Sequence, residues 1–269
     1  MIKLMQIAAV CLSVVLVAPW TRSAELPPVT ELRAEIAASV VHASVYEPHL
    51  STGGQRVVVE YVGFPAAAVL AHVFGEGWSD LATTVEFRAL DGYVSRIDVG
   101  RFLTESGFLV FARTDGSSFT VDNLLQNESD VPLGPYYLVW DNVANPSLLA
   151  EGGRNWPYQV TEINLVTLSD GMLVPEGLDE RLRAGAELAK EHCLSCHQVN
   201  GFGGNKFPGN LAAIARGLPR DDFVQLVLQP SSVRSSATMP ALARTLPDAE
   251  RRHMAGMLFD YLNAVPVLE

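Results

Sequence analysis

Hydrophobic positions follow three different rhythms along the chain. From Ile7 to Ala18 they run almost unbroken. Between residues 57 and 165 they gather in short β-branched and aromatic runs: Val57–Val62, Gly107–Ala112, Tyr136–Trp140 and Gln159–Leu165. Such runs predict strands, with Asp91-Gly92, Asp115-Gly116 and Gly134-Pro135 as turns between them. Two helices are expected in this part. One starts at Pro65 and runs through Ala71; the other covers Glu31–His42 behind a Thr30 cap. Beyond residue 178 the spacing changes to three and four. Leu178, Leu182, Gly185, Ala189 and Cys193 form one such series, and Met254, Leu258, Tyr261 and Val265 another, the second preceded by the helix-start pair Pro247-Asp248.

The first apolar run has a separate meaning. Lys3 precedes it, and the small residues Ser23 and Ala24 follow it, the arrangement of a signal peptide over residues 1–23. A run of this length covers about 18 Å as a helix, against ~30 Å for a bilayer core. The expectation is therefore export to the periplasm with no stable membrane span in the mature chain. Cys11 leaves with the leader; Val10 before it is too large for a lipoprotein site.

Charge divides what remains. Residues 24–175 carry 19 acidic side chains against 7 arginines and no lysine, whereas residues 176–269 carry 11 acidic and 10 basic ones. The whole chain has a formal net charge of −11, which argues against nucleic-acid binding. Turn-forming residues from Ser169 to Gly177 mark the boundary. The predicted organisation is a β-rich domain over 24–172, a linker over 173–177 and a helical domain over 178–269.

Only Cys193 and Cys196 survive removal of the leader, and they lie in Cys193-Leu194-Ser195-Cys196-His197. Two thiols at this spacing on one turn can add across the two vinyl groups of a haem, with the next histidine beneath the iron. A redox dithiol would be expected near a βαβ pattern, and a zinc site needs further Cys or His nearby; neither context is present. Met239, in the loop Ser235–Pro240, is the expected sixth ligand, while Met254 and Met257 have the spacing of core residues.

With these motifs in place, residues 178–265 resemble the class I c-type cytochromes. The resemblance takes in the C-x-x-C-H, Thr238-Met239-Pro240, Gly185 and the aromatic Tyr261 on the last helix. It implies one haem c, joined covalently through Cys193 and Cys196 and ligated by His197 and Met239. It implies too that the first and last helices cross where Gly185 meets an aromatic ring, and that the Pro208 carbonyl accepts a hydrogen bond from His197. Phe207 stands where the family usually has glycine.

The N-terminal part is similar to the molybdopterin-binding domain of the sulfite oxidase superfamily. Tyr61–Pro65, Val85–Tyr93, Leu109–Gly116, Gly134-Pro135-Tyr136 and Trp156-Pro157-Tyr158 carry the likeness in order. It implies an α+β chain of two domains, a β-rich sulfite-oxidase-like domain and an all-α cytochrome c domain. No cysteine stands between Cys11 and Cys193, so the thiolate ligand of a molybdenum centre is missing and molybdopterin is not expected. His42, His49 and His72 have no spacing that suits a metal site, and Trp78, Trp140, Trp156, Tyr136, Tyr137 and Tyr158 are expected to fill a core.

The function expected from these features is single-electron transfer between periplasmic redox proteins, such as a dehydrogenase, an oxidase or a small cytochrome, with no catalytic residue and with the acidic domain as a docking module. Lys190, Lys206, Arg216, Arg220, Arg234 and Arg244 would form a weakly basic rim around the haem. The rival is a haem-containing oxidoreductase subunit whose N-terminal domain binds a substrate or cofactor.

Overall fold

The computed structural model describes residues 21–36, 40–51, 54–168 and 170–268. Residues 1–20 of the predicted leader lie outside them; its last three residues, Thr21–Ser23, begin a strand.

Two antiparallel four-stranded sheets build the N-terminal part. The first has the order β1 (Thr21–Glu25), β10 (Val160–Val166), β4 (Thr84–Ala89), β5 (Val94–Asp98). The second runs β2 (Val41–Tyr46), β3 (Val58–Pro65), β6 (Gly107–Arg113), β9 (Tyr137–Trp140). A hairpin of β7 (Thr120–Asn123) and β8 (Glu128–Pro132) stands beside them. All four predicted strands form within three residues of their expected ends. The Glu31–His42 helix does not: α1 covers only Val29–Glu35, and His42 lies in β2. The β-branched pair Val40-Val41 loses side-chain freedom in a helix, and pairing Val41 with Gly63 on β3 is the better outcome. The helix at Pro65 forms as α2 (Ala66–Phe74), with the proline at its N-cap. A third helix, α3 (Val99–Thr104), is held at its start by Asp98, whose carboxylate accepts from the Gly100 N–H at 2.7 Å.

Both sheets feed one core. Phe87 from the first sheet and Trp140 from the second meet through Phe102 of α3, with ring centroids 5.8 and 5.1 Å away. Trp78, Trp140, Trp156, Tyr136 and Tyr137 are buried, as expected, and Tyr158 packs at the core's edge.

The C-terminal part consists of α4 (Arg183–His192), α5 (Leu211–Arg216), α6 (Arg220–Leu228), α7 (Pro230–Val233) and α8 (Asp248–Ala264), with a two-residue-strand hairpin, β11 (Gln198–Val199) and β12 (Phe202–Gly203). Its separate core gathers around α8, which packs against α4, α5 and α6. Leu173, in the predicted linker, is buried there, and its carbonyl accepts from the Tyr261 hydroxyl at 3.0 Å. Among the described residues no helix is long and apolar enough to cross a membrane.

The two parts meet at the β4–β5 turn. The Val94 N–H donates to the Ser195 carbonyl at 2.8 Å, and the Asn205 N–H donates to the Gly92 carbonyl at 2.8 Å. Arg96 lies 4.5 Å over the Phe202 ring, and Lys206 Nζ stands 3.0 Å from the Asp91 carboxylate. Thus β5 leans on the turn that holds the two cysteines.

Candidate functional site

Helix α4 delivers the cysteine motif. Cys193 is its C-cap, with its N–H donating to the Ala189 carbonyl at 2.8 Å. The chain then closes a tight turn in which the Cys196 and His197 N–H groups both donate to the Cys193 carbonyl, at 3.2 and 3.0 Å. This turn brings both thiols and the imidazole to the wall of one apolar cavity. Phe223, Leu258 and Leu262 line it, and so does Met239 with its neighbours Thr238 and Pro240. Residues 42 positions apart in sequence, His197 and Met239, therefore face a common apolar space. Met254 and Met257 are not among its walls, and His253 is exposed.

The electrostatics suit a neutral guest. Burial pushes the Cys193 thiol up to about 12, with Cys196 adding to the effect, and pushes Cys196 up to about 11. Burial thus favours the protonated form of both thiols. Burial also lowers the His197 pKa, favouring the neutral imidazole that a metal ligand must be. Among the described residues, no group of three or more His, Cys, Asp or Glu could hold a metal ion by itself.

The hydrogen bond from His197 to Pro208 is not formed. His197 Nδ1 is buried without a hydrogen-bond partner, Pro208 is exposed, and the Phe207 ring instead stacks on the imidazole at 5.3 Å and 26°. The Phe207 ring thus packs on the face of His197, while the in-plane position at Nδ1 has no protein partner.

The helix crossing matches its expectation. A Cβ on Gly185 would stand 2.5 Å from the Met257 carbonyl oxygen, so only glycine lets α4 approach α8 this closely. Three of the six residues expected to form a basic rim are engaged within the chain. Lys206 is engaged by Asp91, Arg220 is paired with Asp260, and Arg216 donates to the Val265 carbonyl at 2.6 Å. Sequence reasoning also passed over Arg251. Its guanidinium donates to the carbonyls of Leu242 and Leu228, at 2.9 and 2.8 Å, and so ties together the two ends of the segment that carries Met239. A charged residue at a helical position gives no sign of this role until α8 is folded against the loop.

Residues 180–256 match the family model described as Cytochrome C oxidase, cbb3-type, subunit III. The C-terminal region is a cytochrome c domain. The match contains Cys193, Cys196, His197 and Met239 but covers less than a third of the chain. A search of curated proteins finds no match. A cytochrome c domain implies haem c, and the residues present fit one: an apolar cavity of suitable class, two protonated thiols, a neutral imidazole with an unsatisfied ring nitrogen, and a thioether on the same cavity.

The three histidines considered for a metal are dispersed. His42 is on β2, His72 pairs with Glu35 at 2.8 Å, and His49 is buried against Glu47 at 2.7 Å.

Proposed function

We propose that this chain is an exported c-type cytochrome that passes single electrons between periplasmic redox proteins. The observation that carries the reading is the convergence of Cys193, Cys196, His197 and Met239 on one apolar cavity. In this reading Cys193 and Cys196 would hold one haem covalently, and His197 and Met239 would ligate its iron. A haem held there would supply a one-electron iron couple, and ligation by both His197 and Met239 would disfavour binding of small molecules at the iron. The protein's own work is positional. Phe223, Leu258 and Leu262 exclude water, Phe207 fixes the plane of His197, and Arg251 holds the loop from which Met239 reaches in.

The N-terminal part, in the same reading, is a sulfite-oxidase-like fold without molybdenum, since no cysteine is available in it. Its 19 acidic residues against 7 arginines over 24–175 suit docking of a basic partner, with association rates that fall as salt is raised. A second reading, an oxidoreductase subunit with a substrate site in the N-terminal part, is favoured by one observation, a pocket at the junction of the two parts.

Metal counting on protein matured in a haem-competent host tests both. One iron per chain, retained on the denatured polypeptide, is the expected result. Iron that is lost on denaturation would overturn covalent attachment, and near-stoichiometric molybdenum, tungsten or copper would overturn the electron-carrier reading.

A further inference from the structure

The two parts of the chain share one cluster of charges, and it lies beside the cysteine turn. Lys206 belongs to the cytochrome domain. Its Nζ stands 3.0 Å from the Asp91 carboxylate and 3.7 Å from that of Glu128, and it donates to the Gln126 amide oxygen at 3.4 Å. Asp91 is in the turn between β4 and β5, Gln126 follows β7, and Glu128 opens β8. All three partners thus come from the N-terminal part. The Lys206 side chain is only 13% exposed, and Glu128 keeps one carboxylate oxygen, Oε2, buried without a hydrogen-bond partner. Two carboxylates against one ammonium leave the cluster with an excess of negative charge.

Backbone bonds hold this cluster against the residues that fit a haem. The Asn205 N–H donates to the Gly92 carbonyl, and the Phe207 N–H donates to the Cys196 carbonyl at 3.2 Å. Lys206 therefore sits between a residue bonded to the N-terminal part and one bonded to the cysteine turn, and the next ring, Phe207, lies on His197. The charges are felt at that turn. Burial is the main cause that raises the Cys196 thiol; among the charges, Lys206 pulls it down while Asp91 and Glu128 push it up. Among the described residues, no Asp, Glu, Lys or Arg lines the apolar cavity itself. Charge just behind such a wall is weakly screened and acts on an iron bound there as it acts on the sulfur.

We propose that the Asp91–Lys206–Glu128 cluster sets the reduction potential of the haem, the two N-terminal carboxylates favouring the oxidised iron and Lys206 opposing them. The physical reason is that oxidised iron carries one more positive charge than reduced iron, so nearby negative charge holds the potential down. The inference rests on the cytochrome reading and extends it. The N-terminal part becomes a source of the field in which the electron is taken up, and so helps to select which donors can reduce the domain. Asp91 and Glu128 act through space and touch neither cysteine nor ligand.

Potentiometric titration of the full-length haem-loaded protein and its variants tests the inference. Glu128→Gln and Asp91→Asn each remove one negative charge at nearly constant shape. Each should raise the potential by about threefold or more in the one-electron equilibrium constant, about 28 mV at 59 mV per tenfold. Lys206→Gln should lower it by a similar factor, and Lys206→Arg, which keeps the charge, should restore the parent value. The sign separates charge from packing: a loosened junction admits water, which favours the more highly charged oxidised iron and lowers the potential. The visible spectrum of each oxidised variant shows whether Met239 still ligates the iron. If Lys206→Gln does not accumulate as haem-loaded protein, the two carboxylate variants decide the question, since a rise is required of both. Unmoved or lowered potentials in Glu128→Gln and Asp91→Asn would overturn this inference and leave the cytochrome reading standing. Protein that carries no covalent haem would overturn both.

Discussion

Gly185 and Tyr261 touch where the first and last helices of the cytochrome domain cross: a Cβ built on Gly185 would come within 2.6 Å of the Tyr261 Cβ. The tyrosine is fixed in turn, because its hydroxyl reaches the Leu173 carbonyl. Neither backbone nor ring can retreat cheaply. Gly185→Ala should therefore destabilise the haem-loaded protein by about 1–3 kcal/mol, the usual range for overpacking. Denaturant unfolding monitored at the haem absorbance measures it; an unchanged midpoint would show that the helices separate without cost.

Met239 and Arg251 make a paired prediction. Met239→Ala should open an axial position, so that the ferrous protein binds carbon monoxide where the parent does not. Arg251→Ala removes the clamp on Leu228 and Leu242 but leaves the thioether in place. It should give slow, partial carbon monoxide binding, read from the Soret band. Identical behaviour of Arg251→Ala and parent would mean that the loop holds itself.

At the junction of the two parts, Gly92 has φ +85° and its missing Cβ would lie 2.9 Å from the Asn205 carbonyl carbon. Gly92→Val meets both a left-handed backbone and a clash, a cost of about 1–3 kcal/mol for the backbone strain alone. Cleavage by protease between residues 169 and 177 should become faster in this variant, by about tenfold if the junction opens. Unaltered cleavage would mean that the contacts around Gly92 do not hold the parts together.

Glu47 sets an acid limit on the N-terminal part. Burial by itself raises its pKa, but the hydrogen bond and charge of His49, with the Tyr61 hydroxyl and the His49 N–H, outweigh burial and leave it below the ordinary 4.5. A carboxylate depressed on folding stabilises at pH above its unfolded value, and that contribution is lost as pH falls through the folded value. Stability of the N-terminal part should thus drop below about pH 4.5. Glu47→Gln should be less stable at neutral pH yet show a shallower acid limb. Parallel limbs for parent and variant, followed by near-ultraviolet circular dichroism, would sink the linkage.

What could be read from the chain beforehand follows the range of the interactions involved. The Cys193–His197 turn is made by five consecutive residues, and its chemistry is local. The Gly185–Tyr261 crossing needs two helices, yet each carries its own three- and four-residue spacing, so it too was visible. Glu47 was not. Its partners Tyr61 and Tyr137 come from β3 and β9, 14 and 90 residues away, and a lone glutamate after a strand has no local pattern. Helix α1 is shorter than the predicted span because Val41 pairs with Gly63 on β3, a partner that no local pattern reveals. The Pro208 bond is not seen, and the exposed loop position of Pro208 gives no local pattern from which its distance to His197 could be read.

The hydrogen bond from Val94 to Ser195 has a bearing on the order in which the molecule is put together. Ser195 stands between the two cysteines, and its carbonyl is covered on one side by β5 and on the other by Gly204, where even a Cβ would come within 2.8 Å of the Ser195 carbonyl carbon. In the proposed reading this turn carries both points of haem attachment, so loading of the haem and docking of β5 act on one short segment. If loading comes before the docking of β5, the two parts stay apart until haem is bound. In material made without haem, protease access to residues 169–177 should accordingly exceed that of the loaded protein, and equal access would refute this order of assembly.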